Sequence, residues 1–289
     1  MVKYWCFPVF FSARCFPGAK YAVATEFRLH YLQLDMKTIA TALRILELFA
    51  DGPGQRSVSE IADLCELPRS QVSRILSTFG RAGWLDQDPK TRRYSVGLPA
   101  YVVGSRFVQS HPLTKHAIPL LRGIVDRSGF NTTLSILDHL KPLYLLGIAG
   151  PVPVDLSSAF GSYFPFHATA AGKVLAAFAP PDVRERMLQE TTLDRITSRT
   201  ITSRQQLRNE LDEVFRRGYA SSDGERVPGM GALAVPVITH SGQIAAAIGN
   251  AFPTSMVSVD DREYQVEILK GGARSLMERI EGPLYPHRR

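Results

Sequence analysis

The chain has 289 residues and only three cysteines, Cys6, Cys15 and Cys65. Three thiols make neither a disulfide framework nor a structural zinc set, which fits a reducing compartment. Histidine does no better as a metal ligand. Its seven copies, His30, His111, His116, His139, His167, His240 and His287, are scattered, and His111 and His116 stand five apart, an awkward spacing for one helix face. There is no nucleophile elbow, no glycine-rich phosphate loop and no metal-spaced His/Cys set. His167 and Lys173 lie close together, and Asp223 and Glu225 share a loop, but no nucleophile accompanies them. His167 reads as a structural histidine before a helix. Lys173 reads as a solvated or capping residue, with a counter-ion role as the alternative. No catalytic residue, metal or cofactor is expected.

A membrane segment is missing too. Residues 1–35 are apolar and aromatic around Trp5 to Gly18, yet they show no period and carry Pro8 and Pro17. Pro8 breaks a run already too short for a signal-peptide core, and the stretch is too short to span a bilayer. Met36 directly precedes the first periodic helix, so residues 1–35 are expected to be an extra leader outside the native chain; the rival reading is an accessory arm. Excess charge of one sign is slight. The net charge of +7 divides into four Lys/Arg against two Asp/Glu over residues 1–35, nine against seven over 36–98, and twenty-one against eighteen over 99–289. Binding to a polyanion must therefore rest on where the cations stand. Hydrophobic residues make up 45% of the chain, ample for two buried cores.

What the sequence does have is concentrated between Ser57 and Val96. Ser57 and Ser59 each suit a helix N-cap, and Glu60 falls near the electropositive helix end. Ile61, Ala62 and Cys65 supply an apolar face, on which Cys65 reads as a small core residue. After a turn at Glu66-Leu67, Pro68 sits in the first turn of the next helix, where proline is tolerated. Val72, Ile75, Leu76 and Phe79 recur at spacings of three and four, which predicts one buried face. The opposite face, Arg69, Ser70, Gln71, Ser73, Arg74 and Ser77, contains no acid. A solvated helix usually mixes signs, whereas phosphate neutralisation needs cations and base-edge reading needs Arg, Gln and Ser. Gly80 and Gly83 are expected to end this helix, and Trp84-Leu85 opens a strand. Asp86 to Arg93 is turn chemistry carrying Lys90, Arg92 and Arg93, and Tyr94 to Val96 returns as a second strand. The pattern is a winged helix-turn-helix, its helix suited to the major groove of double-stranded DNA and its wing to the flanking backbone. A helix-turn-helix by itself also occurs in proteins that never touch DNA.

Thr41 to Ala50, the helix pair, and Gly83 to Gly97 together resemble the N-terminal domain of the IclR family of bacterial transcription regulators, and the likeness runs over about residues 37–281. Before the helix pair, a first helix from Thr38 to Ala50 is expected to bury Ile39, Ala42, Leu43, Leu46 and Phe49. Beyond the wing, Pro99 to Gln109 reads as a helix; the resemblance implies that it links two domains and helps dimerisation. His111 to Ser128 is a helix with Leu113, Ala117, Leu120, Leu121, Ile124 and Val125 inward. Two apolar strands follow, Asn131 to Leu137 and Leu143 to Ala149. Helices are expected from about Thr169, over Pro181 to Glu190 and, capped by Ser203, over Arg204 to Arg217. Strands opening at Gly218-Tyr219, over Ala232 to Ile238 and over Gln243 to Ala251 precede a closing helix, Asp260 to Glu281. The fold class is α+β: an N-terminal winged helix-turn-helix domain plus a C-terminal antiparallel sheet with helices, resembling the GAF/PAS ligand-binding fold. The expected divisions are a leader at 1–35, a DNA-binding domain at 36–98, a linker helix at 99–110, an effector-binding domain at 111–281 and a tail at 282–289.

The resemblance also implies a sensor pocket. Family members that bind small oxo-acids hold the carboxylate on backbone N–H groups at the entry of the helix matched here by Ala170 and Ala171, amides that the helix itself leaves unsatisfied. The other polar contacts of such members fall on Ser222, Ala232, Gly249 and Ala251, and the pocket walls on Leu156, Phe164 and Met230. Three of the four polar positions are thus small and apolar. A glyoxylate-like effector would be poorly held, and an aromatic or branched carboxylate would suit better. The expected protein is a cytoplasmic transcription regulator and not an enzyme. It binds double-stranded operator DNA as a homodimer or dimer of dimers, with affinity controlled by a small organic acid. The alternatives are an enzyme, or a ligand-free dimerisation module, on a GAF-like domain.

Overall fold

The computed structural model describes residues 36–50, 54–152 and 161–280, and the chain divides into two compact units between Gly97 and Leu98. Residues 1–35, with Cys6 and Cys15, and the pocket-wall position Leu156 fall outside the described residues. No described helix is long and apolar enough to cross a membrane.

The first unit contains α1 (Lys37–Glu47), α2 (Val58–Cys65), α3 (Arg69–Arg81) and a hairpin of β1 (Leu85–Gln87) and β2 (Tyr94–Val96). Ser57 and Glu60 form a reciprocal capping box: Ser57 Oγ accepts from the Glu60 amide at 3.2 Å, and Glu60 Oε2 accepts from the Ser57 amide at 2.7 Å. The turn between α2 and α3 is made by Glu66 in the left-handed region, at φ 55°. α3 passes through Gly80 and stops at Arg81, after which Gly83, at φ 73°, reverses the chain. Ile45, Ile61, Cys65, Val72, Leu76 and Leu85 are the centre of the core. The stripe expected on α1 is partly wrong. Ala40 and Ile45 are buried there, while Ile39 and Leu43 remain 49% and 42% exposed. The helix carries apolar residues on more than one side, and only the side that meets α2 enters the core.

The second unit holds α4 (Leu98–Ser110), α5 (Pro112–Ser128), β3 (Asn131–Asp138), β4 (Lys141–Ile148), α6 (Ala170–Ala177), α7 (Pro181–Glu190) and α8 (Arg204–Arg217), then β5 (Ala220–Asp223), β6 (Met230–Ile238), β7 (Ile244–Pro253) and α9 (Val259–Glu278). The five strands form an antiparallel sheet in the order β4-β3-β7-β6-β5. The β3–β4 turn is tighter than expected, with only His139 and Leu140 between paired strands.

The two faces of this sheet differ in side-chain size. On one, Leu134, Leu233, Val235, Ile248 and Phe252 pack against α5 and α9. On the other, Ala220, Ala234 and Ala247 lie against α6, with α7 and α8 stacked beyond. Alternation along each strand produces both sets at once. Small side chains let α6 settle close to the sheet, and all eight of its residues are buried. Close approach extends to its first turn: a Cβ on Gly172 would stand 2.4 Å from Phe166 Cα and 2.7 Å from Thr169 Oγ1.

Gly172→Ala should therefore overpack and cost about 1–3 kcal/mol. Gly271→Ala on α9, where nothing lies within 4 Å of the added carbon, should be neutral or raise stability by about 0.5–1 kcal/mol. Thermal unfolding of the two variants checks the pair.

Candidate functional site

The first site is the outer surface of α3 and the wing. Val72 and Leu76 anchor α3 in the core, which turns Arg69, Ser70, Ser73, Arg74 and Ser77 outward and leaves Gln71 half-buried. The hairpin tip is shaped by Asp88. Its Oδ1 accepts from the amides of Lys90 at 2.7 Å and Thr91 at 2.9 Å, and these bonds hold its carboxyl below the usual carboxylate range. Arg92 takes the left-handed conformation, at φ 59°, and Lys90 and Arg92 are exposed. Among the described residues no carboxylate pairs with Arg69, Arg74, Lys90 or Arg92. Several cations of the second unit are, by contrast, matched with acids, among them Lys173, Arg184, Arg199, Arg208 and Arg217.

Arg93 differs from the other two wing cations. It donates to Glu60 Oε2 at 2.7 Å and to the Gln55 carbonyl at 3.1 Å, tying the second wing strand to the start of α2. The Ser57 amide and then Arg93 lower the Glu60 carboxyl to about 2. The sequence grouped Arg93 with Lys90 and Arg92 as a surface cation. The structure gives it a strut's position.

The second site is the N-terminus of α6. Thr169 caps the helix, its Oγ1 accepting from the Gly172 amide at 3.2 Å. The amides of Ala170 and Ala171 have no acceptor among the described residues, and both residues are buried. Ser222, Ala232 and Ala251 are brought together as cross-strand partners in one row over β5, β6 and β7, on the face turned to α6. Gly249 lies one rung further along, opposite Ala234, and Met230 one rung back, opposite Pro253. Ser222 Oγ donates to the Ala168 carbonyl at 3.3 Å, which ties this row to the turn that enters α6. Phe164 is buried in the same cluster. Gly249 opens no room, because a Cβ there would stand 2.8 Å from the Leu233 carbonyl oxygen. Any extra volume comes from Ala232 and Ala251. A separate cavity of about 550 Å³ lies between β6 and α9, with Glu267, Lys270 and Arg274 among its lining, and none of these residues was expected in a site.

Lys173 is where the sequence reading fails. It is neither solvated nor a cap but 1% exposed, with Nζ 2.7 Å from Glu225 Oε1, 3.2 Å from the Ser221 carbonyl and 3.7 Å from Glu210 Oε1. Burial pushes the Glu225 carboxyl up, and Lys173 pulls it the other way. A cation inside the otherwise apolar run from Ala170 to Ala177 was itself the signal of a buried partner. His167 is buried, its Nε2 3.0 Å from the Asp194 carbonyl, and burial, with Lys173 nearby, lowers its affinity for a second proton. No described group of three or more His, Cys, Asp or Glu is placed to hold a metal ion.

A family model of the IclR helix-turn-helix domain matches residues 38–89, and one described as bacterial transcriptional regulator IclR C-terminal matches residues 105–278. The chain belongs to the IclR family of transcriptional regulators. It is similar to the HTH-type transcriptional regulator BhcR of Paracoccus denitrificans, with 33% identity over 223 residues, 77% of this chain and 80% of that one. An IclR transcriptional regulator structure from Alicyclobacillus acidocaldarius superimposes with a TM-score of 0.76 at 27% identity, covering 85% of this chain and 99% of the other. An IclR homolog from Microbacterium hydrocarbonoxydans, solved in complex with 4-hydroxybenzoate, gives a TM-score of 0.72 at 26% identity, covering 84% and 98%. The helix-turn-helix of an IclR-family chain is its DNA-binding domain.

The Glu60–Arg93 strut can be tested through pH. The folded Glu60 value lies below its ordinary 4.5, so its stabilisation is complete above about pH 4.5 and is lost as pH falls toward about 2. Thermal unfolding should show Glu60→Gln less stable than wild type at pH 6, with the gap narrowing below about pH 4.5 and closing near about pH 2.

Proposed function

We propose that this regulator binds double-stranded operator DNA through α3 and the wing, and that a small organic acid seated at the N-terminus of α6 controls its operator affinity. Arg74 and Gln71, with Arg69, Ser70 and Ser73, face base edges and adjoining phosphates. Lys90 and Arg92 hold the flanking backbone, and Arg93 positions the wing while sharing that positive field. The chain acts in the cytoplasm, as a homodimer or dimer of dimers. α4 supports the oligomer, since it has no buried residue and leaves Tyr101, Val103 and Phe107 71%, 59% and 42% exposed. No catalytic step is assigned.

One observation carries the ligand reading: two buried amides, of Ala170 and Ala171, stand side by side at an electropositive helix end with no described acceptor. A buried N–H without a partner costs about 1–3 kcal/mol, and a carboxylate satisfies both at once. The row Ser222, Ala232, Ala251, with Met230 and Phe164 beside it, offers the rest of a ligand mostly apolar contact. The 4-hydroxybenzoate held by the Microbacterium homolog supports an aromatic acid as the class.

For DNA, Arg74→Ala should cost about 1–3 kcal/mol of operator affinity and relax sequence preference. Lys90→Ala and Arg92→Ala should weaken binding to all sequences alike and flatten its salt dependence. Titrations on the chain's own upstream intergenic DNA check both, and unchanged affinity in Arg74→Ala/Arg92→Ala with the fold intact defeats the assignment. For the ligand, benzoate should raise the melting temperature more than glyoxylate or pyruvate at equal concentration. Ala232→Trp should abolish that shift and leave DNA binding in place. A larger shift from glyoxylate or pyruvate would contradict the reading.

A further inference from the structure

Close to the same recess stands a set of groups that the reading above leaves unused. Tyr144 on β4 packs with the cluster on the α6 side of the sheet and stacks on Phe164, ring centroids 3.9 Å apart. The guanidinium carbon of Arg226 lies 5.8 Å from the centre of the Tyr144 ring. Burial pushes the Tyr144 phenol up, and the Arg226 cation beside it acts in the opposite direction. Arg226 is half-buried, and among the described residues no carboxylate pairs with it. Three other cations of this region are matched: Lys173 with Glu225, Arg199 with Asp223, Arg217 with Glu210.

The loop that carries Arg226 is held from behind. Glu225 is pinned by Lys173, and the carbonyls of Gly224 and Glu225 accept from Thr197 Oγ1 and Thr200 Oγ1, each at 2.7 Å. Met230, at the other end of this loop, closes it by accepting from the Gly224 amide at 2.8 Å. The Arg226 guanidinium, on an anchored loop, hydrogen-bonds the Tyr144 phenol and meets no described carboxylate, which leaves further N–H donors for a bound acceptor.

We propose that Arg226 and Tyr144 form a second pole of the effector site, and that the ligand is a bifunctional aromatic acid. Its carboxylate rests on the Ala170 and Ala171 amides, its ring lies against Tyr144 and Phe164, and a second acceptor oxygen across the ring meets Arg226. Offset ring stacking and a charge-assisted hydrogen bond both favour this class over an aliphatic acid. The inference rests on the α6 reading of the site, and its test separates the two.

Calorimetric titration of the full chain with benzoate and with terephthalate reads the second oxygen directly. Terephthalate should bind wild type about ten- to a hundredfold more tightly than benzoate, the span for a hydrogen bond to a charged group. Arg226→Gln should erase that preference while leaving benzoate affinity within about twofold. Arg226→Lys keeps the charge without the fork, so it should retain part of the preference, and it serves in place of Arg226→Gln should that variant not fold. A preference absent from wild type, or intact in Arg226→Gln, overturns the second pole while Ala232→Trp still blocks benzoate. Failure of both acids to bind, or binding that survives Ala232→Trp, overturns the α6 site and this inference with it.

Discussion

A helix that starts inside a protein brings backbone N–H groups that must find acceptors, and the face of the sheet beneath α6 is arranged around that constraint. Alanines on three strands allow the helix to lie close, Gly172 lets its first turn meet the Phe166 backbone, and Thr169 satisfies one amide. The Ala170 and Ala171 amides remain over, buried and adjacent. The sheet of the second unit therefore has one face of large side chains, where Leu, Val, Ile and Phe meet α5 and α9, and one of small residues under α6.

The buried Lys173–Glu225 pair belongs to the same arrangement. A buried ion pair contributes little net stability, because desolvation of both charges opposes their attraction. Its position is more informative, since it joins the middle of α6 to the loop carrying Arg226. Helix entry and loop are thereby fixed relative to one another, as a site with two poles requires. In the DNA-binding unit the distribution of charge does comparable work. Net charge over residues 36–98 is small, yet the exposed cations of α3 and the wing tip form no ion pair with a described acid, while Arg93 is spent on holding the wing.

Much of this was legible in the sequence. The Ser57–Glu60 start, the Glu66-Leu67 turn and the periodicity from Val72 to Phe79 give α2 and α3 directly, and the helix entry near Thr169 and the Ser203 cap were read correctly. Local chemistry decides such features. What escaped depended on distant partners. Ile39 and Leu43 read as core because periodicity cannot say which of two apolar sides meets a neighbour. Lys173 read as solvated because its partner lies 52 positions away, and the Arg93–Glu60 pair went unforeseen because Glu60 lies 33 positions before it. Sequence likewise could not show that the Leu233 carbonyl fills the position a side chain at Gly249 would take.

The central claim is that an acid docks on the first two amides of α6, and those amides can be watched directly. Nitrogen-15 NMR of the full chain, titrated with benzoate, follows the Ala170 and Ala171 resonances as ligand is added. The account predicts that these two amides move furthest and downfield, as N–H groups do on gaining a charged acceptor, and that Ala232→Trp suppresses the movement. Shifts confined to residues around the cavity between β6 and α9, with Ala170 and Ala171 unmoved at saturation, would contradict it.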